Sequence, residues 1–198
     1  MTHFFLEQSF DTPLTDLAAR ATAQALGACL RIHHEWRECF VDCDRRRMLC
    51  HFEAQDPQAL REASHHAPNG PGVLWPGAIY SPLPAGLDLH APGDRSSYVI
   101  GERNFAAPLT ESDLAGLYGA CAWCFEVHRV HRVRLIVAQN RRRAVALFRA
   151  PDAESVRLAC QHAGTPLDRV WPCRRIGRED GPRGERSAGG PRPDGASA

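Results

Sequence analysis

The chain has 198 residues, 43% apolar and 24% charged, and a formal charge of +1. That composition suits an ordinary globular protein able to bury one or two sizeable cores. All 24 cations are arginine, scattered along the chain and matched by 23 acids, so charge makes no case for a nucleic-acid partner. No window approaches the roughly 18 apolar residues that a membrane span needs. The first ten residues lack a basic stretch leading into an apolar one, so the expected location is the cytoplasm, with no membrane partner.

In chain order, residues 4–10 read as a strand, and Thr15 caps a helix running to about His34. Residues 36–43 and 48–54 are two strands around an Arg-rich turn. Asp56-Pro57 is an N-cap followed by proline, the start of a second helix that ends near Asn69-Gly70. A further strand runs into Trp75. Residues 81–94, rich in Pro and Gly, form a linker. The order then recurs: a helix over 110–129, a hairpin around Asn140-Arg141, a cap at Asp152, a stop at Gly164, and a strand into Trp171. Residues 177–198 lack the apolar content to fold and read as a disordered tail.

The recurrence extends to individual residues. Pro13-Leu14-Thr15 returns as Pro108-Leu109-Thr110, His33 as His128, Arg45-Arg46-Arg47 as Arg141-Arg142-Arg143, and Trp75-Pro76 as Trp171-Pro172. Such landmarks indicate a duplicated module. The expected organisation is therefore repeat 1 over 1–80, the linker over 81–94, repeat 2 over 95–176 and the tail over 177–198. Each repeat has the order βαββαβ of a ferredoxin-like unit, whose helices cover one sheet face and leave the other bare. Burying two bare faces against each other predicts an α+β fold: two tandem ferredoxin-like modules packed sheet to sheet as a pseudo-dimeric α/β barrel, monomeric, with any pocket between the sheets.

Eight cysteines are many for this length, yet they share no spacing between the repeats. A disulfide framework would survive duplication in pairs, so the thiols are expected reduced and mostly buried. Cys121-Ala-Trp-Cys124 lies well inside a helical segment, away from the helix start that lowers a thiol pKa.

Strand alternation sorts the polar residues. Phe5 and Glu7 share a face, and Leu49, His51 and Glu53 share one opposite to Met48, Cys50 and Phe52. If the apolar set packs under the helices, Glu7, His51 and Glu53 gather on the other face. Two carboxylates and an imidazole suit a divalent transition metal or acid–base chemistry; the plainer account is a wet sheet face. Glu102 repeats Glu7, while Leu147 and Arg149 replace His51 and Glu53, so Glu102 is also expected to ion-pair with Arg149. His33, His66, His128 and His162 close helices on one side of the module and form a second candidate metal set, or simply complement helix dipoles. The Arg triplets suit an anion or, more plainly, a solvated turn. No Gly-rich phosphate loop, nucleophile elbow or HExxH motif is present.

The first-strand Glu, the Pro-Leu-Thr helix entry, the Arg-rich hairpin leading to Cys50 and Phe52, and Ala150-Pro151-Asp152 through Ala163-Gly164 to Val170-Trp171-Pro172 resemble a bacterial ferredoxin-like family of unknown function that includes nickel-binding and nickel-responsive members. The resemblance covers about 155 residues as two tandem domains. It implies a divalent transition metal such as nickel as cofactor. The family's histidine ligands fall at Gln8, Arg103, Ser64 and Cys160 here, so that ligand set does not carry over. The resulting expectation is a small binding or sensing protein for a metal ion or small ligand, with a dimeric-barrel enzyme using the Glu/His cluster, or a ligand-free interaction module, as alternatives.

Overall fold

The computed structural model describes residues 2–29, 35–55, 58, 62, 72–80, 97–119 and 122–177. Within them run β1 (Thr2–Ser9), α1 (Asp16–Cys29), β2 (Glu35–Asp42), β3 (Arg47–Ala54), β4 (Val73–Tyr80), β5 (Ser97–Asn104), α2 (Glu111–Gly119), α3 (Ala122–Val127), β6 (His131–Ala138), β7 (Arg143–Ala150), α4 (Ala153–His162) and β8 (Arg169–Gly177).

The eight strands close into one antiparallel barrel in the order β1-β3-β2-β8-β5-β7-β6-β4. This corrects the expectation of a helix-rich α+β chain built as two ferredoxin-like modules stacked sheet to sheet in a pseudo-dimeric α/β barrel. The physical reason lies in strand edges. β2 and β4 flank the first four strands, and β6 and β8 flank the second four. Left open, each would present a row of unpaired N–H and C=O groups. β2 instead pairs with β8, from Glu38↔Gly177 to Asp42↔Cys173, and β4 pairs with β6, from Gly77↔Ala138 to Tyr80↔Leu135. Stacking two sheets hides their bare faces but not their bare edges; closure satisfies both.

Three apolar clusters follow from alternation on a closed wall. Phe4, Leu6, Met48, Cys50 and Phe52 point outward to Leu14 and Ala19 at α1. Val99, Ala146 and Phe148 do the same against Val156 and Ala159 of α4. Phe5, Phe40, Leu49, Ile100, Ile136 and Leu147 fill the barrel with Trp75 and Trp171. The face opposite Met48, Cys50 and Phe52 is therefore the barrel interior and not a wet sheet surface.

Local expectations shift at several points. β1 begins at Thr2, two residues earlier than expected, and β8 continues past Trp171 to Gly177. The single helix expected over 110–129 is two, α2 and α3. The caps hold: Thr15 Oγ1 accepts from Ala18 N at 3.0 Å, and Asp152 Oδ1 accepts from Ser155 N at 2.7 Å. The helix expected over 56–70 and the linker over 81–94 fall largely or wholly outside the described residues, as does the tail beyond Gly177.

Cysteine chemistry also differs. Cys39 and Cys50 face each other across β2 and β3 and form a disulfide, against the expectation of eight free thiols. Direct cross-strand partners bring two cysteines together whatever the other repeat carries, so the duplication argument missed them. Cys124, Cys160 and Cys173 are buried and outside any disulfide. Burial pushes the Cys160 thiol up to about 11 and the Cys173 thiol higher still, leaving both unreactive at neutral pH.

The Arg-rich hairpins take the same form in both repeats. Arg45 and Arg141 adopt left-handed backbone, with φ of 58° and 55°. Their carbonyls accept from Leu14 N and Leu109 N, each at 2.8 Å. The third arginine of each triplet is thereby the first residue of its strand: Arg47 opens β3 and Arg143 opens β7.

Residues 1–80 expressed alone would carry β2 and β4 as open edges. Light scattering and size-exclusion chromatography should find that fragment self-associated or aggregated; a monomer with a cooperative melt would show that the seams are dispensable.

Candidate functional site

The barrel interior carries polar residues at its two ends, with aromatic packing between them. At one end, β1 and β3 bring together His3, His51 and Glu53. His3 lies opposite Glu53 in the register and Phe5 opposite His51, so all three side chains converge inside. His3 Nδ1 is 3.1 Å from His51 Nε2 and 3.6 Å from Glu53 Oε1. One donor atom from each residue lies within 4.8 Å of the others. Two nitrogens bound to one ion at about 2.0–2.1 Å sit about 2.9 Å apart at a right angle and about 3.4 Å apart in a tetrahedron. The 3.1 Å separation falls between these values.

Charges behind the triad hold it in place. His51 is 5% exposed, and its Nδ1 faces Glu38 Oε1 at 3.9 Å. Glu38 accepts from Arg175 Nε at 2.6 Å and from Arg134 Nη1. Burial opposes ionisation of Glu38, but the neighbouring His51 ring and the two guanidiniums outweigh it and hold the carboxyl down at about 2. Burial also lowers the His3 pKa, helped by the adjacent His51 and opposed by Glu53. A hydrogen bond from Arg37 Nη2 at 2.7 Å is the main cause of a lowered Glu53 pKa. Near neutral pH the set therefore offers a neutral His3 imidazole and an ionised carboxylate, the states that ligate metals.

Glu7 and Glu102, grouped with His51 and Glu53 in the sequence reading, stand at the opposite end. Four residues along a strand separate His3 from Glu7, about 13 Å at 3.3 Å per residue. Phe5 fills the interval, stacked on His51 at 5.0 Å and on Trp75 at 4.7 Å. Both carboxylates are bound by one arginine. Arg143 Nη1 reaches Glu7 Oε1 at 2.6 Å and Arg143 Nη2 reaches Glu102 Oε2 at 2.7 Å. Trp75 Nε1 donates to Glu7 Oε1 and Trp171 Nε1 to Glu102 Oε1, each at 2.7 Å. The expected pair of Glu102 with Arg149 does not form: Arg149 lies over the Tyr98 ring at 5.7 Å, because the register sets Tyr98 opposite Arg149 and Glu102 opposite Val145. Glu7 and Glu102 are thus committed to a cation and do not join the metal set.

Of the second candidate set, His128 Nε2 and His162 Nδ1 approach to 3.1 Å on the exposed surface; His33 and His66 lie outside the described residues. Sequence reasoning missed His3, Glu38, Arg134 and Arg143. His3 was within reach: the alternation joining Phe5 to Glu7 extends back to it once the strand begins at Thr2. Arg143 was read only as part of a turn.

No family model matches the chain, and no curated protein does. Its fold is similar to that of several solved structures. One is described as an anthrone oxidase-like protein, with a TM-score of 0.48 and 10% identity, covering 90% of this chain and 94% of that one. Another is a putative monooxygenase from Fusobacterium nucleatum, with a TM-score of 0.45 and 6% identity, covering 89% and 94%. A third is a mutant chlorite dismutase from Candidatus Nitrospira defluvii, with a TM-score of 0.45 and 11% identity, covering 87% and 90%. Similarity at this level assigns no reaction. None of the three descriptions names nickel, and the resembling family's histidine positions hold Gln8, Arg103 and Cys160 among the described residues, so its nickel ligand set is absent there.

The Glu7–Arg143–Glu102 bridge makes its own forecast. Arg143→Met leaves two carboxylates facing each other and should destabilise by about 3 kcal/mol, the lower end for breaking a buried pair, since the guanidinium is partly exposed. Adding Glu7→Gln and Glu102→Gln should restore much of the loss in denaturant titrations; no recovery would show that Arg143 acts mainly by packing on Trp75.

Proposed function

We propose that this protein binds a divalent transition-metal ion at the His3, His51 and Glu53 end of its barrel. The observation that carries the reading is the convergence of Nδ1, Nε2 and a carboxylate oxygen from two paired strands. Mixed imidazole and carboxylate donors suit zinc, cobalt, iron or manganese and discriminate weakly among them. Glu38 supports the reading from behind His51, since metal-bound imidazoles commonly direct their second nitrogen at a carboxylate. Three protein ligands leave coordination positions open to water or a small ligand, so metal storage, sensing and metal-assisted catalysis would share this site.

The test uses the full chain without a histidine tag, carrying His128→Ala and His162→Ala to remove the surface pair. Cobalt(II) should bind with visible d–d absorption. His51→Ala or His3→Ala should weaken affinity tenfold or more, about 1.4 kcal/mol. Unchanged affinity in both variants would end the proposal. Protons compete for the same nitrogens, and burial shifts His3 below 6.5, so affinity should hold from pH 8 to about 6.5 and fall with further acidification. The sign for stability is the same. A depressed imidazole pKa favours the folded state above the unfolded value, and that contribution is lost as pH falls through the folded one.

A further inference from the structure

The opposite end of the barrel holds a polar cavity of about 40 Å³. Its lining includes Glu7, Glu102, Arg47, Arg143 and Arg169 beside Trp171. Three guanidiniums face two carboxylates there, an excess of one positive charge. The imbalance has a structural origin. Arg47 and Arg143 hold equivalent places in the two repeats, as do Glu7 and Glu102, so duplication supplied one carboxylate per arginine. Both carboxylates now close on Arg143. Arg47 is left with no carboxylate among the described residues, and Arg169 stands 3.9 Å from Glu102, too far for a hydrogen bond. Arg143 itself keeps a donor in reserve: both terminal nitrogens are engaged, while its buried Nε has no acceptor among the described residues. A buried donor without a partner is costly, and an acceptor oxygen supplied from outside would remove that cost.

The geometry points to a binding site for a small monovalent oxyanion, of carboxylate or nitrate size, between Arg47 and Arg143. Size and charge set the class. A cavity of about 40 Å³ admits a few heavy atoms, far below the several hundred Å³ of a drug-sized site. A single excess charge balances a monoanion and leaves a dianion uncompensated. A planar anion with two oxygens matches the paired N–H donors of a guanidinium. The site is separate from the proposed metal centre, being divided from it by Phe5 and Trp75, and does not rest on that reading.

Formate is the probe. The full chain is titrated with sodium formate replacing sodium chloride at fixed ionic strength, while the Nε–Hε NMR resonances of Arg47 and Arg143 are followed. Both should shift saturably, and sulfate should bind at least tenfold more weakly. Arg47→Met should weaken formate at least tenfold, and Arg47→Lys less, since it keeps charge but loses the fork. If Arg47→Met does not fold, Arg169→Gln beside Arg47→Lys gives the comparison, and both should lower affinity. His51→Ala should leave the titration unchanged, which separates this site from the metal centre. No saturable shift in the native protein, equal binding of sulfate, or arginine variants that titrate like the native chain would each overturn the assignment.

Discussion

The seams β2·β8 and β4·β6 are the constraint on which the rest of the structure depends. Each half of the chain is a four-stranded sheet with two open edges, and backbone groups at an edge demand partners regardless of side chains. Pairing the edges of one half with those of the other meets that demand. It also converts two bare faces into one interior. The polar contacts that join the two halves follow from that closure. Glu38 meets Arg134, 96 positions away, and Glu7 meets Arg143, because their strands enclose a common space.

The interior is partitioned along its axis. Phe5, Phe40, Leu49, Ile100, Ile136 and Leu147 occupy the middle, and ionisable groups stand at the ends. Stacking of Phe5 between His51 and Trp75 keeps the two polar clusters apart. Each end meets the cost of buried charge differently. Glu38 is ringed by cations and held ionised; Arg143 is clamped by two carboxylates that also accept from tryptophan indoles. Buried ions persist when their partners and hydrogen bonds replace most of what water supplied.

Corresponding positions of the two halves carry different residues at one end and the same residues at the other, so the two ends are not alike. The counterparts of His3, His51 and Glu53 in repeat 2 are Tyr98, Leu147 and Arg149, which pack as an apolar side chain and an arginine over a phenol ring. Among the described residues, the three proposed metal donors therefore all come from repeat 1. At the other end the two repeats kept the same residues, Glu7 with Glu102, Arg47 with Arg143 and Trp75 with Trp171. Symmetry was broken there by contact geometry, since both carboxylates chose one arginine.

Local periodicity and landmark residues made much of this legible in the sequence. The caps at Thr15 and Asp152, the outward Met48, Cys50 and Phe52, and the inward His51 and Glu53 all follow from spacing within a single segment. Such signals are local because a strand alternates with period two and a helix start needs only its own first turn. What tertiary structure alone decided was which edges join, and hence which inward residues meet. No periodicity marks Arg143 as the partner of Glu7, Glu38 as the brace behind His51, or Cys39 as the partner of Cys50. Each of those contacts depends on the register of paired strands, which is set by hydrogen bonds between distant backbones and leaves no trace in the spacing of side chains along either one.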